Sequence, residues 1–587
     1  MTSTAVRKTV MPMLKLVIAE KPSVAVSIAN VIGADRKYKG YREGNGYIVS
    51  WCIGHLAELS LPEAYDEKYS KWKTEDLPIV PKAWKYSVDV RKKEQFKILK
   101  TLMNRSDVSE VINACDAGRE GERIFRTVYE FSGCKKPVKR LWISSLEDEA
   151  IKEGFRSLKP GEDYNNLYMA AECRAKADWL IGMNFSRLFS VKYRQRFSVG
   201  RVLSPTLSFI TERQDEIQGF KPESFFTAEL KNENGVIVSD KLKTKEEAQA
   251  AKDKCLSEPP VFVSSVSEEH REKAPLLYDL TSLQRDANRV YGFTAQQTLD
   301  YLQSLYERKL CTYPRTDSRF LTDDMKSTAE KLINVCKSFF NGKAKVKDVS
   351  VLCDSRKVSD HHAVIPTLNL EGYDLSSLAN GERKLLLLII RRMIEATCEE
   401  YISETVTYTF SCGDYLFTAK ETTVKQIGWK VFSKQDKEEN KGSLSGMKPG
   451  DTFSVAEGSV KEGKTKPKPQ FTEVTLLSAM EQAGKEDMPD DAERQGIGTP
   501  ATRAEIIEKL IKNGYVKRDG KKLVPNETGV SLVSVLHESL KSAALTAEWE
   551  QKLKQVENGK FSPDVFMNEI MQYVSDVIEK VKQEKTV

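Results

Sequence analysis

Two short apolar runs, each leading through an acidic turn into a helical pattern, limit most strongly how this chain can fold. Residues 14–19 read Leu-Lys-Leu-Val-Ile-Ala, and Glu20-Lys21-Pro22-Ser23 follows them directly. Residues 108–115 form the second run, which leads into Asp116-Ala117-Gly118-Arg119-Glu120-Gly121-Glu122. Buried strands that alternate with helices are typical of a parallel sheet. The sequence therefore predicts an α/β domain in the amino-terminal part of the chain.

The two acidic residues that end these runs, Glu20 and Asp116, form a candidate metal site. Ligands of parallel sheets gather beyond the carboxyl ends of the strands, which is where both residues fall. Carboxylates suit Mg²⁺, a hard cation that takes oxygen ligands and usually shares them with a phosphate. Either residue alone is explained equally well as a helix-start charge or a cap. Because both apolar runs end in an acidic residue, a metal site is favoured over two separate helix-start charges or caps. Glu120 lies nearby.

A tyrosine placed directly before a proline is a candidate nucleophile. In Leu310–Arg319 the order is Tyr313-Pro314-Arg315, and the proline disfavours helix at Tyr313. In extended chain Arg315 emerges on the same side as Tyr313, where its planar fork of donors suits a phosphate. Attack of a phenol on phosphorus gives a covalent phosphotyrosine. Taken alone, this pair is better explained as a turn with a packed ring, because the chain has 21 tyrosines.

Length and composition exclude several classes of protein. At 587 residues the chain exceeds what one hydrophobic core usually serves, which predicts three or more domains. No apolar run reaches spanning length, and residues 1–13 lack the apolar segment of a secretory signal. The ten cysteines never fall as Cys-x-x-Cys, which argues against zinc ribbons and disulfide scaffolds and fits a reducing cytoplasm. A net charge of +6 permits a nucleic-acid partner.

The middle of the chain changes pattern several times. Residues 164–190 are helical, and a glycine-containing turn at 198–207 leads into a further helix. Alternating patterns over about 216–270 and 400–470 predict antiparallel strands, with a mostly helical insert at 281–399 between them. Residues 458–465 match the nucleotide-binding pattern Gly-x4-Gly-Lys-Thr, but the Lys-Pro-Lys-Pro that follows cannot open the helix such a loop needs. We therefore expect a chance match in a linker and no ATP site.

The carboxyl-terminal part has the pattern of a winged-helix unit. Residues 495–503 precede a helix that ends near Asn513, and a hairpin at 515–524 turns at Asp519-Gly520. The turn residues and Arg503 suit contacts with a DNA backbone. As an alternative, the glycines and threonine of residues 495–503 only start a helix.

Taken together, these motifs resemble those of type IA DNA topoisomerases, and the likeness runs from about residue 14 to residue 560. Five pieces come in the family's order: Glu20-Lys-Pro-Ser23, the acidic turn at 116–122, Ser198-Val-Gly-Arg201, Tyr313-Pro-Arg-Thr-Asp-Ser318, and Ser359-Asp-His-His-Ala-Val-Ile-Pro-Thr367. The absence of zinc ribbons favours the topoisomerase III branch.

The resemblance implies a multidomain fold with α/β, α and β parts, in which a Toprim α/β domain joins a toroidal core. The implied parts are a tail at 1–13, a Toprim metal-binding domain at 14–160, a helical single-strand-binding domain at 161–215 and 475–587, a β arch at 216–280 and 400–474, and a helical domain with the nucleophile at 281–399.

The resemblance also implies roles for particular residues. Tyr313 is the nucleophile, which becomes joined to a 5′ phosphate. Arg315 and Lys21 stabilise the charge on phosphorus, Glu20 passes a proton to the leaving 3′ oxygen, and His361 holds the scissile phosphate. Mg²⁺ is held by Glu20 and Asp116. Contacts with the bound strand fall to Trp72, Trp179, Arg187, Ser198, Val199, Gly200, Arg201, Val202 and Leu203.

Two positions depart from the family pattern. Gly118 stands where most relatives carry a second aspartate, which puts the metal affinity in doubt. Leu203 stands where a glutamine is usual, so an amide that can hydrogen-bond DNA is missing.

The activity expected from the resemblance is an ATP-independent topoisomerase that cuts one DNA strand, passes another through the gap and reseals, with Mg²⁺ and without ATP or zinc. The expected partner is single-stranded or negatively supercoiled DNA, with no membrane, and the chain is expected to be a cytoplasmic monomer. Two rivals remain: a Toprim-type metal-dependent nuclease or primase-like enzyme that needs no tyrosine, and a non-catalytic single-strand-binding protein.

Overall fold

The structure is a computed structural model that describes residues 13–340, 348–358, 361–432, 443–483 and 496–584. Residues 1–12 of the predicted tail, Ser359 and Asp360 of the fifth motif, and Gln495 lie outside these ranges. Within them, no helix combines the length and the apolar character needed to cross a membrane. All ten cysteines lie within these ranges and are free thiols.

The amino-terminal part is an α/β region built on a seven-stranded sheet with the order β2-β3-β4-β1-β7-β8-β9. Its elements are β1 (Leu14–Ala19), α1 (Pro22–Ile32), β2 (Arg36–Tyr38), β3 (Tyr41–Gly44), β4 (Tyr47–Trp51), β5 (Ala57–Leu59), β6 (Tyr86–Val88), α2 (Lys93–Met103), β7 (Val108–Ala114), α3 (Arg119–Ser132), β8 (Val138–Arg140), α4 (Asp148–Arg156) and β9 (Lys159–Pro160).

The centre of this sheet is parallel, as the two apolar runs predict. Strand β1 lies between β4 and β7 and runs parallel to both, while the outer pairs β2–β3, β3–β4 and β8–β9 are antiparallel. Ala19 pairs with Ala114, so the acidic residue after each strand leaves the sheet at the same edge. The sheet register therefore brings Glu20 and Asp116 together.

A large helical region joins the middle of the chain to its carboxyl-terminal part. One continuous apolar core contains Phe185 and Leu207 from the middle and Leu510, Leu553 and Ile578 from the end. Its elements are α5 (Asn165–Lys192) and α6 (Leu203–Gly219), and then α12 (Glu473–Gln482), α13 (Pro500–Lys512), β16 (Val516–Asp519), β17 (Lys522–Pro525), α14 (Glu527–Val535), α15 (Glu538–Lys541), α16 (Ala543–Glu557) and α17 (Pro563–Gln583).

A six-stranded antiparallel sheet lies between these two stretches of sequence, with the order β12-β13-β14-β11-β10-β15. Its elements are β10 (Ser224–Asn232), β11 (Gly235–Ser239), α7 (Lys245–Ser257), β12 (Val261–Glu272), β13 (Tyr401–Cys412), β14 (Tyr415–Gln426) and β15 (Glu457–Lys464). Strand β15 contains most of the Gly458–Thr465 match and pairs with β10 along eight residues. The expectation of a linker there is wrong: the segment is an edge strand, and no helix follows it directly as a nucleotide-binding loop requires.

A second helical region separates the two halves of that sheet in sequence. It contains α8 (Leu280–Tyr291), α9 (Ala295–Glu307), α10 (Lys326–Lys337) and α11 (Asn380–Glu395) around a core of its own. Tyr313 lies in the extended segment between α9 and α10. That segment bonds to the chain after His361 rather than to a helix, since the Thr312 amide donates to the Ile365 carbonyl at 3.0 Å.

Candidate active site

Tyr313 lies where the helical region of α8–α11 meets the α/β region. Its main-chain amide donates to the Ser144 carbonyl at 3.0 Å, across the boundary between the two regions. Its side chain is 6% exposed and, with Tyr306, packs into the apolar cluster of the sheet face that contains Val24 and Leu141. We call this boundary, formed by Ser144 and its neighbours on one side and Tyr313 and His361 on the other, the cleavage interface.

His361 holds the two sides of the cleavage interface together. Its Nε2 hydrogen-bonds the Ala117 carbonyl, and its Nδ1 lies 2.8 Å from Ser144 Oγ. Because a carbonyl only accepts, Nε2 carries the proton and Nδ1 accepts from the serine. Burial lowers the pKa of His361 to about 4, so the ring is neutral at physiological pH. Its ring lies against that of Tyr313, with centroids 4.2 Å apart.

The two predicted metal ligands are buried carboxylates at the edge of this interface. Glu20 is 3% exposed and Asp116 8%, and Glu20 Oε2 and Asp116 Oδ2 have no hydrogen-bond partner. Burial, and then the charge of Asp116, raises the pKa of Glu20 to about 8, and burial also raises the pKa of Asp116. Two desolvated carboxylates with free oxygen atoms are costly without a cation. The donor set therefore fits Mg²⁺, which takes hard oxygen ligands.

The remaining ligands of such an ion must come from outside this pair. Over the described ranges, no group of three or more His, Cys, Asp or Glu side chains has the arrangement of a metal site. Glu120 is engaged elsewhere, since His55 Nε2 lies 3.4 Å and Arg315 Nη1 4.0 Å from its carboxylate. The hydrogen bond from His55 and the charge of Arg315 hold the pKa of Glu120 below its ordinary range. Water and a phosphate oxygen, which Mg²⁺ usually retains, would supply its other ligands.

Most of the predicted catalytic residues open into one cavity of about 900 Å³ between the regions. Glu20, Tyr313, Arg315 and His361 line its inner end. Lys21 is not among the lining residues, and its Nζ lies 3.5 Å from the Glu307 carboxylate. The cavity wall further out is formed by α3, α5 and the start of α13, with Arg119, Arg174, Asp178, Thr502 and Arg503 among its residues. The structure therefore places the Tyr313 phenol, the Glu20 carboxylate and the Arg315 guanidinium around one space that suits a phosphodiester.

Trp72 and Arg187, which are predicted to contact DNA, act as a pair in the structure. Trp72 is 38% exposed, and the Arg187 guanidinium lies 5.1 Å from its ring centroid. Arg187 itself is 3% exposed and donates to the Tyr69 carbonyl at 2.7 Å and to Glu63 at 2.8 Å. Nη1 and Nη2 of Arg187 therefore hold the 63–72 segment, and its phosphate contact stays a prediction. Trp72 keeps one exposed face for stacking.

Trp179, for which the resemblance implies a stacking contact with DNA, is buried in the structure. The side chain is 7% exposed, and Nε1 donates to the Ser60 carbonyl at 2.9 Å. Tyr65 and Trp84 meet the ring edge-on, at 5.9 and 5.4 Å between centroids. No face of the indole is open to a base, so Trp179 supports the segment that presents Trp72 rather than the DNA itself.

The turn at 198–203 is largely interior. Val199, Val202 and Leu203 belong to the main apolar core, and Leu203 begins α6. Ser198 and Gly200 are half-buried. The Ser198 main-chain amide donates a hydrogen bond to Tyr515 Oη. Arg201 is 5% exposed and pairs with Asp178 and Glu550. The side chains of Val199, Val202 and Leu203 pack in the core and that of Arg201 is ion-paired, so the DNA contacts implied for them stay a prediction.

Arg140 bonds the acidic turn, although no sequence motif singles it out. Its fully buried guanidinium donates to the carbonyls of Asn113, Cys115 and Asp116 at 2.7–3.2 Å and pairs with Glu122 at 3.1 Å. It thereby fixes the acidic turn at the end of β7. A buried arginine at the end of β8, the strand next to β7, is the signal that points to it.

Gly118 has a backbone that other residues rarely adopt. Its φ is +149° and its ψ 172°, and an added Cβ meets no atom within 4 Å. We expect Gly118→Ala and Gly118→Asp to lose similar stability, about 1–3 kcal/mol, because both force this conformation on a side chain. Gly118→Asp alone adds a carboxylate next to Asp116, so it should reach half-maximal relaxation at lower Mg²⁺ than Gly118→Ala. Equal Mg²⁺ titrations of the two variants would contradict the assignment of this turn to the metal.

Comparisons with known proteins match nearly the whole chain to DNA topoisomerases. A family model described as DNA topoisomerase matches residues 162–568, and one described as Toprim domain matches residues 15–146. The chain is 40% identical over 594 residues to DNA topoisomerase 3 of Bacillus licheniformis, covering 97% of this chain and 81% of that protein. It is 38% identical over 595 residues to DNA topoisomerase 3 of Bacillus subtilis, covering 97% and 82%.

The fold agrees with a solved structure as well. Full-length topoisomerase I from Thermotoga maritima superposes with a TM-score of 0.75 at 23% sequence identity, covering 97% of this chain and 91% of that one.

Proposed function

The chain belongs to the type IA DNA topoisomerases, and from that premise we propose that Tyr313 cuts one DNA strand at the cleavage interface, remains joined to the 5′ phosphate and later reseals the break. The observation that carries this proposal is the position of Tyr313: a phenol on the helical region, enclosed by acids and Arg315 at a boundary between two separately packed regions. A break made at such a boundary can be widened by moving one region away from the other.

The charged groups around Tyr313 suit both the attack of its phenol on phosphorus and the departure of the 3′ oxygen. Burial, and then the charge of Asp116, raises the pKa of Tyr313 well above its ordinary value, so the phenol is protonated in the free protein. Arg315 and Lys21 supply the positive charge that stabilises the phosphorus centre. In the proposed step the Tyr313 oxygen bonds to phosphorus, the bond between phosphorus and the 3′ oxygen breaks, and Glu20, which lines the same cavity, passes the proton lost by the phenol to the leaving 3′ oxygen.

We propose that Glu20 and Asp116 hold Mg²⁺, which supplies charge neutralisation next to the scissile phosphate. His361 acts as a positioning residue, because both of its nitrogens are used within the protein. It holds Tyr313 on one side and the Ala117 carbonyl of the acidic turn on the other. Neither a nuclease without a tyrosine nor a simple binding protein needs this arrangement.

The phosphotyrosine retains the energy of the broken phosphodiester, so resealing needs no nucleotide. We further propose that the substrate is single-stranded or locally opened DNA, that the chain acts as a cytoplasmic monomer, and that neither ATP nor zinc takes part. The exposed face of Trp72 supports the preference for single strands, because stacking needs an unpaired base.

Relaxation assays on plasmids of opposite supercoiling test this proposal. We expect negatively supercoiled plasmid, which opens locally, to be relaxed with Mg²⁺ alone, and positively supercoiled plasmid to remain unchanged. A positively supercoiled plasmid with a short mismatched bubble is the matched control, and it should be relaxed. Equal rates on the two intact plasmids, or a requirement for ATP, would contradict the proposal.

A further inference from the structure

One carboxylate, Glu550 on α16, contacts arginines from three separate segments. Its Oε1 lies 2.7 Å from Arg201 Nη1 and 3.8 Å from Arg174 Nε, and its Oε2 lies 3.8 Å from Arg119 Nη1. Arg119 directly follows Gly118 of the acidic turn, Arg174 lies on α5, and Arg201 belongs to the turn before α6. Helix α16 therefore meets the acidic turn, α5 and the turn before α6 through Glu550, and Glu557 of the same helix also pairs with Arg119 at 2.7 Å.

The three arginines differ in how far they reach the cavity. The side chains of Arg119 and Arg174 are 17% and 19% exposed and line the cavity, whereas the Arg201 side chain is 2% exposed. Arg201 also bonds Asp178 at 2.9 Å, and its main-chain carbonyl accepts from Thr546 Oγ1 on α16 at 2.9 Å. Helix α16 thus fixes both the backbone and the side chain of Arg201 behind the wall.

The charge on Glu550 is what keeps this arrangement in place. Burial alone would raise its pKa, but the guanidinium groups of Arg174, Arg201 and Arg119 hold the pKa of Glu550 at about 2. Removing one partner of a buried ion pair leaves an uncompensated charge in the interior, which is strongly unfavourable. Among the described residues, Arg201 would then keep only Asp178 as its ion-pair partner, and because Asp178 lines the cavity, the released guanidinium is expected to turn toward that space.

We propose that Glu550 is a positioning residue that keeps Arg201 out of the cavity and, together with Glu557, holds Arg119 and Arg174 along its wall. This proposal rests on the proposed function, in which the cavity receives a DNA strand. The strand then meets a fixed set of cationic groups in one register relative to Tyr313. Without Glu550, an additional arginine competes for phosphates, and the strand binds more tightly but in the wrong place.

Binding of a fluorescent single-stranded oligonucleotide at several salt concentrations tests the proposal. For Glu550→Gln we expect a slope of log K against log salt that is steeper by about 0.7, the value for one more phosphate contact on a single strand. Affinity in low salt should rise about threefold to tenfold. Covalent adduct formed at saturating oligonucleotide should fall roughly tenfold or more, because misplacement of a reacting phosphate is costly. Unchanged or weaker binding by Glu550→Gln would overturn the proposal.

Three further variants separate positioning from loss of structure. Glu550→Asp keeps the charge and should keep the wild-type slope. Glu395→Gln makes the same change at a buried carboxylate that pairs with Arg391 and Arg392 at 3.0 and 3.3 Å, and it should leave the slope unchanged. The double variant Glu550→Gln with Arg201→Gln removes both partners and should return the slope to the wild-type value.

If Glu550→Gln does not fold, the Arg201→Gln variant still tests the proposal. Arg201→Gln alone should then leave the slope unchanged, because the proposal places Arg201 away from the strand. A slope that is shallower by about 0.7 would instead identify Arg201 as a direct phosphate contact and overturn the proposal. Failure of the proposed function is distinguishable, since wild-type protein would then bind the oligonucleotide without forming an adduct.

Discussion

Tyr313→Phe is expected to abolish formation of the covalent adduct with DNA, a loss of at least roughly 10⁴-fold, while affinity for a single-stranded oligonucleotide stays within about twofold. The change removes one oxygen atom from a ring that is otherwise buried against Tyr306 and His361, so packing is preserved. The measurement is the transfer of an end-labelled oligonucleotide to protein on denaturing gels. Label at the 5′ side of the break should be released, and label at the 3′ side retained.

Tyr306→Phe is the matched control for this prediction. Tyr306 is also buried in the same apolar cluster and meets the Tyr313 ring edge-on, with centroids 5.6 Å apart. It should lose no more than about threefold in adduct formation, because its hydroxyl has no part in the proposed step. An adduct that survives Tyr313→Phe, or one attached through a 3′ phosphate, would refute the assignment of the nucleophile.

Asp116→Asn is expected to raise the Mg²⁺ concentration for half-maximal relaxation by roughly tenfold or more, equivalent to about 1.4 kcal/mol of binding free energy. The amide keeps the shape of the side chain and removes the charge that faces Glu20. For the same reason the metal-free variant should be more stable than the wild type, because one of two buried, repelling carboxylates is gone.

Thermal unfolding gives a second readout that does not depend on activity. Mg²⁺ should raise the unfolding midpoint of the wild type and have little effect on Asp116→Asn. Asp107→Asn is the control, since Asp107 precedes the opposite end of β7 and pairs with Arg105 at 2.7 Å. It should keep the wild-type response to Mg²⁺. If Asp116→Asn also keeps that response, the ion does not bind at this turn.

The backbone around the site follows from local sequence. The apolar runs at 14–19 and 108–115 predict β1 and β7, and the acidic residues after them are neighbours because parallel strands in register end at one edge. The proline after Tyr313 predicts extended chain, and the structure has no helix there. These features depend on a few adjacent residues, so a pattern of ten to twenty positions is enough to specify them.

The environment of individual side chains does not follow in this way. Trp179 and Arg201 occupy positions where a resemblance suggests DNA contact, yet their burial depends on partners far away in sequence: Ser60 for Trp179, and Glu550 for Arg201. His361 likewise contacts Ser144 and Ala117 of another region. A one-dimensional pattern gives the type of residue at a position, but exposure and pairing depend on which distant segments pack there.

The burial of Tyr313 within the apolar cluster of the opposite region has a consequence for the opened enzyme. If the two regions separate after cleavage, the tyrosine and its attached DNA end leave that cluster, and the apolar surface of the cluster becomes exposed to water. An aromatic side chain buries about 150–250 Å², which at about 25 cal/mol per Å² corresponds to roughly 4–6 kcal/mol. The open state is therefore uphill in free energy by hydration alone. Closure returns the broken end to its partner spontaneously, and the cost of opening limits how long a cut strand stays apart.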